Sequence, residues 1–447
     1  MLSRRNILFA GSALGLTFLL PRKKTRAGGG TPQRFLLSIV AQGGLDTTMM
    51  FDARPLAMTA AGKIHNPLGA DPMLWTGSNG QTALTASTAA PLHPLKDKFS
   101  VINGVVMSTS FDGHDQNTNL LLAGNPFGGT SFNADLNADS QAPLDYVRLG
   151  NLIATLQDSR TIPVSKDGLA QLVSGVGALD AIAPSVDDFL HAESGALGDP
   201  TERFGAGVLS LDDATAASKE LQRRIGQIRL GAVSDPLDAQ LAVIREVFRL
   251  GIARGAMFAI DGDDLFFDNH APQAAKAQGP SFTELSNRLT RVFQYLAATP
   301  YDDHNSLLDV TTVIVGSEFG RTMRQLDRPI DDTGTDHNPL ANSVLIGGSG
   351  IKGGLVIGAT DFQSATEQLS GAHLALDPEQ VKVMGRPFDF TSCTVRSDKP
   401  QTFAAGDYLQ IASVVNTIYS LFGVPQDKWR TAVRSGPPAP VLSALLA

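Results

Sequence analysis

Val310-Thr311-Thr312-Val313-Ile314-Val315-Gly316 runs straight into Ser317-Glu318-Phe319-Gly320-Arg321-Thr322. A short, β-branched, apolar run closed by glycine reads as a strand buried on both faces. The polar residues behind it then lie just past the strand's carboxyl end, where open α/β sheets bind their ligands. Phe35-Leu36-Leu37-Ser38-Ile39-Val40, halted by Gln42-Gly43-Gly44, has the same character, as does Phe99 to Val106. All three read as central parallel strands. Helical spacing is clearest from Pro236 to Phe258, where Leu237, Leu241, Ile244, Val247, Phe248, Ile252 and Met257 recur at three and four after the start signal Ser234-Asp235-Pro236. Further helices are predicted over Ser281 to Ala298, Asp407 to Phe422 and Asn117 to Ala123. The fold class is therefore α/β, a mostly parallel central sheet flanked by helices. Residues 134–235, rich in Asp, Ser and Gly, read as a cap or insertion in a single domain over 28–447.

The 447 residues are 43% hydrophobic and 18% charged, with 44 Gly, 25 Pro and one Cys. Such a chain buries a large core, which excludes a disordered or disulfide-stapled protein. Its net charge of −8 offers no basic surplus for nucleic acid. Residues 1–27 read as an export signal: Ser3-Arg4-Arg5-Asn6-Ile7-Leu8 resembles the twin-arginine motif, an apolar stretch to Leu20 follows, and Thr25-x-Ala27 supplies small residues for cleavage. The apolar stretch falls short of the ~20 residues of a spanning helix. Without residues 1–27 the chain keeps 30 basic against 44 acidic side chains, a net of −14. The expectation is passage through the twin-arginine translocase to the periplasm or beyond, with no transmembrane span in the mature chain. Cys393 is alone, so no disulfide forms within the chain.

Four polar clusters fall at or beyond the expected strand ends. In Gly43-Gly44-Leu45-Asp46-Thr47-Thr48 the glycines let the backbone turn tightly and present a carboxylate. Ser108-Thr109-Ser110-Phe111-Asp112-Gly113-His114-Asp115 offers hydroxyls and an imidazole near a helix start that favours anions. In Phe266-Phe267-Asp268-Asn269-His270 the period of two in extended backbone puts Asp268 and His270 on one face, within reach of one ion. Glu318 closes the most strand-like run, and Arg321 can grip a tetrahedral anion. The adjacent pair in Gly334-Thr335-Asp336-His337-Asn338 can serve different ions, or one can orient the other. Gly348-Ser349-Gly350-Ile351-Lys352-Gly353 matches a dinucleotide-binding pattern, but the apolar, β-prone Leu355-Val356-Ile357 follows where a helix is needed, so a hairpin is expected. No G-x-S-x-G, Walker A or H-E-x-x-H sequence is present.

The twin-arginine start, Gly43-Gly44-x-Asp46, Phe267-Asp268-x-His270, Ser317-Glu318-Phe319-Gly320-Arg321-Thr322, Gly334-Thr335-Asp336-His337 and Gly350-Ile351-Lys352-Gly353-Gly354 occur in an order that resembles the secreted domain-of-unknown-function 1501 proteins. That family is similar to the sulfatase and alkaline phosphatase superfamily. The resemblance spans Phe35 to Asp361 and implies an alkaline-phosphatase-like core with metals at the strand carboxyl ends. It implies Asp46 as a first-strand ligand, Asp268 and His270 at one metal, Glu318 at another, and His337 as the last histidine ligand. Two departures stand out. Phe319 follows Glu318 where the superfamily carries a histidine, and Cys393-Thr394-Val395-Arg396 lacks the proline of the sulfatase signature.

The expected function is an exported metal-dependent hydrolase of phosphate or sulfate esters. Asp46, Asp268, His270, Glu318, Asp336 and His337 are the candidate ligands of one or two divalent ions. The mixed donor set favours zinc, manganese or iron. Arg321 and His114 are the candidate anion contacts, and Ser108, Thr109 or Ser110 the nucleophile, with an anionic small-molecule or glycan ester as substrate. The rival reading is a non-catalytic exported binding or scaffold protein of the cell envelope, or one that recognises glycans.

Overall fold

The computed structural model describes residues 34–57, 64–136, 142–150, 152–158, 161–164, 219–221, 223–230, 235–260, 265, 267–271, 275–324, 334–362, 382–399, 408–431 and 437–447. The expected signal over 1–27 and most of the expected insertion lie outside these residues. In chain order the elements that matter are β1 (Phe35–Ala41), β2 (Phe99–Asn103), α1 (His114–Ala123), β3 (Leu144–Leu149), β4 (Thr161–Val164), α2 (Pro236–Arg249), β5 (Ala253–Ile260), α3 (Ala275–Ala298), β6 (Thr311–Gly316), β7 (Gly320–Arg321), β8 (His337–Asn338), β9 (Ser343–Gly348), β10 (Val356–Ile357) and α4 (Ile411–Phe422). The chain divides into two compact units. One takes in Asn137–Gly150 and Asp158–Ala256, the other Gln33–Leu136, Asn151–Gln157 and Met257–Ala447.

In the first unit β3 and β4 pair in parallel, Tyr146 opposite Thr161. Helix α2 starts on Asp235, whose side chain accepts from the Asp238 N–H, with Pro236 in the first turn. Leu237, Leu241, Ile244, Val247 and Phe248 form its buried face. The helical reading carried to Phe258 is corrected here. The helix ends at Arg249, Gly251 turns through a left-handed φ of 61°, and Ala253–Ile260 continues as a strand. Seven of its eight residues are buried, a pattern of burial on both faces that a one-sided helix does not show.

In the second unit the strand order is β10-β2-β9-β6-β1, with the Met257–Ile260 end of β5 next to β1. β1 and β6 are parallel, in register from Phe35 opposite Thr311 to Val40 opposite Gly316. β9 runs antiparallel to both β6 and β2, and β10 is parallel to β2. Thus β10, β2, β6 and β1 run one way and β9 alone opposes them. Every residue of β1, β2 and β6 is buried, which is why these runs carry no polar face. The hairpin expected around Gly348 to Gly353 is also corrected. β9 and β10 do not pair with each other but take the two edges of β2, because the glycine-rich segment crosses the start of that strand: the Gly354 N–H donates to the Phe99 carbonyl at 2.8 Å. Helix α4 begins at Ile411, with its N–H on the Val106 carbonyl, and α1 begins at His114 itself. No described helix is long and apolar enough to cross a membrane.

Because Val40 is in register with Gly316, the last residue of β6, Gln42 to Asp46 and Ser317 to Arg321 leave the sheet side by side. The Gln42 N–H reaches the Ile260 carbonyl at 3.4 Å, so the end of β5 joins them. Gly43 and Gly44 hold φ of 110° and 76°. A Cβ on Gly44 would overlap the Phe319 ring and stand 2.8 Å from Arg321 Nε. Gly44→Ala is therefore expected to cost about 2 kcal/mol or more, from left-handed strain and overpacking together. Denaturant unfolding should show a lower midpoint at unchanged slope.

Candidate metal centre

Four side chains from three segments meet beyond these strand ends. His114, Asp268, His270 and His337 each turn one donor atom to a common place, all within 4.8 Å of one another. His114 is the first residue of α1, which follows the β2 loop. Asp268 and His270 lie after β5 on either side of Asn269, which is fully buried while its two neighbours are exposed. That alternation is the period of two expected from the sequence.

The third loop is fixed to the second by its backbone. The Thr335 N–H and hydroxyl both donate to the Asn269 carbonyl, at 2.8 and 3.0 Å. On its other side, the Thr322 N–H donates to the Asp336 carbonyl, the Asp336 N–H to the Thr322 hydroxyl, and His337 pairs with Arg321 across the β7–β8 ribbon. His337 is thereby carried to 2.9 Å from His270, Nε2 to Nε2. Two imidazole nitrogens at that separation need a proton or a cation between them.

The imidazoles are oriented from behind. Glu318 Oε1 accepts from His114 Nδ1 at 2.7 Å, and Asp336 Oδ1 stands 3.6 Å from His270 Nδ1. In each case the carboxylate faces one ring nitrogen and turns the other toward the centre, the arrangement that sets tautomer and basicity in metal-ligating histidines. His114 Nε2 is buried with no hydrogen-bond partner, and lies 3.5 Å from Asp268 Oδ2. An orphaned buried nitrogen among two further imidazoles and a carboxylate fits a divalent ion of the zinc or iron kind.

Charge and burial tune the group. Burial alone would raise the Asp268 carboxyl. The Arg321 hydrogen bond and charge, with the charges of His114 and His270, instead hold it below the usual carboxylate range. His337 is pushed down to about 4, first by burial and then by the charges of Arg321, His114 and His270, against the opposing pull of Asp336. Phe319 contributes to that burial: its ring centroid lies 4.3 Å from that of His337 and 4.8 Å from that of His114. Phe319 thus walls the imidazoles. A neutral His337 and an ionised Asp268 are the forms that bind metal.

The remaining predicted site residues take other positions. Glu318 is buried, with its carboxylate shared among His114, the Gly43 N–H at 2.7 Å and the Ser317 hydroxyl at 2.8 Å. The guanidinium of Arg321 is fully buried and donates to the Gly43 carbonyl and Asp268, with Nε 3.4 Å from the Gly44 carbonyl. Asp46 stands outside the donor group. It caps the 3₁₀ turn Thr47–Met49 and pairs with Arg324 at 2.6 Å, both side chains nearly fully buried. Ser108 and Thr109 are buried and Ser110 is half-buried in the loop before α1, where the Ser108 Oγ accepts from the Ser110 and Phe111 N–H groups. Sequence reasoning gave His114 an anion-contacting role, and its geometry sets it among the candidate metal donors. It did not single out Arg324, which also donates to Gln278 at 2.6 Å, while Gln278 donates to the Phe267 carbonyl at 3.1 Å. The only signal for Arg324 is a second arginine three residues after Arg321, which spacing alone does not distinguish.

The family model described as protein of unknown function (DUF1501) matches residues 256–375. That span includes Asp268, His270, Glu318, Arg321 and His337 but not His114. No curated protein is matched by this sequence. Among solved structures, the chain is similar to the lipoteichoic acid synthase LtaP from Listeria monocytogenes, at 9% identity and TM-score 0.33, covering 80% of this chain and 74% of that one. It is similar to a protein in the alkaline phosphatase superfamily from Vibrio parahaemolyticus, at 9% identity and TM-score 0.33, covering 97% and 98%. It is also similar to the PsFucS1 sulfatase from Pseudoalteromonas sp., at 10% identity and TM-score 0.30, covering 72% of this chain and 64% of the sulfatase.

Two predictions follow from the burial of these charges. Arg324→Met strands the Asp46 carboxylate in the interior and should cost about 3–5 kcal/mol in unfolding free energy. For His337, the unfolded chain binds the proton near pH 6.5 and the folded chain only near 4, so between these values the unfolded state holds more protons. Metal-free protein should accordingly lose stability as pH falls through that window. Denaturant midpoints at pH 7 and pH 5, with chelator, should differ less in His337→Gln than in the parent chain.

Proposed function

We propose that this chain is an exported metal-dependent hydrolase of phosphate or sulfate esters. The observation that carries the reading is the convergence of His114, Asp268, His270 and His337 beyond the ends of a mostly parallel sheet. These four residues would hold the ion, with Asp336 as a further carboxylate at its edge. A divalent ion there would supply Lewis-acid polarisation of a phosphoryl or sulfuryl oxygen. Glu318 holds the Nδ1 proton of His114, and Arg321 keeps Asp268 ionised and in place. Since the guanidinium is buried against Gly43, Gly44 and Asp268, Arg321 acts on the ester through Asp268 and not by direct contact. A hydroxyl of the Ser108 to Ser110 loop, which leads into His114, is the candidate nucleophile. Asp46 serves the scaffold through Arg324. The twin-arginine-like Ser3-Arg4-Arg5 and the acidic balance of the remaining chain support export to the periplasm or beyond, through the twin-arginine translocase.

One observation favours the rival reading, a metal-bearing exported protein that binds without hydrolysis. Four protein donors fill a tetrahedral ion, as in structural sites, whereas a catalytic ion keeps a position open. Elemental analysis and a screen of phosphate and sulfate monoesters separate the two. The hydrolase reading expects about one equivalent of transition metal per chain, lost in His337→Ala and Asp268→Ala, with ester cleavage falling about 100-fold or more in both. Full metal content without cleavage of any ester would support the binding protein. Unchanged metal content in both variants would remove the site.

A further inference from the structure

Asn269 lies between two of the four candidate metal donors, yet its own side chain faces the other way. Asp268 and His270 are exposed, while Asn269 is fully buried. A buried amide that meets no ion must satisfy both of its ends within the protein. The orientation that does so turns the Asn269 oxygen to Arg324 Nη2 at 2.8 Å and the nitrogen to the Ala271 carbonyl at 2.8 Å. The nitrogen thereby closes a turn around His270. The oxygen joins a guanidinium that also bonds Asp46 Oδ2 and Gln278 Oε1, both at 2.6 Å.

The backbone of the same residue faces the third donor segment. Its carbonyl accepts from the N–H and the hydroxyl of Thr335, two residues before His337. The two segments are in close contact there: a Cβ on Gly334 would stand 2.1 Å from the His270 carbonyl oxygen and 3.4 Å from that of Asn269. One buried residue thus touches the His270 turn, the Asp46–Arg324 pair and the His337 segment. The separation of 2.9 Å between His270 and His337 is set by two segments that meet at Asn269.

We propose that Asn269 is a positioning residue for the candidate metal centre. It is not a ligand; it fixes the gap between His270 and His337 before an ion arrives. Through it Asp46, expected from the sequence to be a ligand, acts on the donor set at two removes, by way of Arg324. The inference rests on the metal-binding reading of the four donors and not on hydrolysis. Donors already held at their final spacing lose little freedom on binding, so loosening them weakens affinity in a chain that stays folded.

The test is the Zn²⁺ affinity of the folded full chain, by competition with a chromogenic chelator, together with the visible absorption of the Co²⁺-loaded chain. Asn269→Ala should weaken Zn²⁺ binding about tenfold or more and alter the Co²⁺ spectrum. Thr335→Val, which removes one hydrogen bond to the Asn269 carbonyl, should weaken binding about threefold, whereas Thr335→Ser keeps the parent affinity. Ile418→Ala, a cavity substitution in the buried face of α4, destabilises the chain and should change neither readout. Should Asn269→Ala fail to fold, the Thr335 pair decides. Parent affinity and spectrum in a folded Asn269→Ala variant, or equal affinities in Thr335→Val and Thr335→Ser, would overturn the proposal and leave the metal centre standing. A parent chain that binds neither ion would remove the centre and this role with it.

Discussion

The arrangement around the strand ends turns on one buried cation. Arg321 has no exposed side-chain surface, yet its guanidinium reaches the carbonyls of the Gly43-Gly44 turn after β1 and the carboxylate of Asp268 after β5, while its own strand pairs with His337. A guanidinium taken out of water must have its donors met, and the chain meets them with groups from two separate segments. The glycines permit this approach because any side chain at Gly44 would occupy the space of Phe319 and Arg321. Satisfying Arg321 and bringing the metal donors together are one and the same packing problem.

A second buried pair, Asp46 with Arg324, works one layer further in. Arg324 reaches Gln278 on α3, and Gln278 holds the Phe267 carbonyl next to Asp268. A buried ion pair of this kind is weak evidence of stability, since desolvation offsets much of the attraction. Its contribution here is positional: it ties the turn after β1 and the start of α3 to the segment that presents Asp268 and His270.

The strands were legible because their burial on both faces leaves a continuous apolar run, as in Phe35 to Val40 and Thr311 to Val315. The helix read through Phe258 shows the limit of periodicity. Ile252 continues the spacing by chance, four residues after Phe248, while Met257 falls five further on, and the left-handed Gly251 marks where the helix stops. Asp268, His270 and His337 stood out as His and carboxylate pairs just beyond apolar runs, and the structure places them together. Asp46 stood out for the same reason but faces an arginine, because a carboxylate in a glycine turn looks alike in sequence whether it meets a metal or a guanidinium. His114 sits far along the chain from its partner Glu318, 204 residues away, and no local pattern joins the two.

That separation has a consequence for how the chain would come to hold an ion. His270 and His337 are 67 residues apart, and His114 comes from a third loop. No short peptide presents the donor set, so an unfolded chain competes poorly for the ion and its uptake awaits a completed sheet. An ion that binds only the finished fold draws the equilibrium toward it, by an amount that grows with the logarithm of its free concentration. Were an ion held there, the persistence of the folded chain would become a function of metal supply, and scarcity would be felt as turnover of the protein before it was felt as a vacant site.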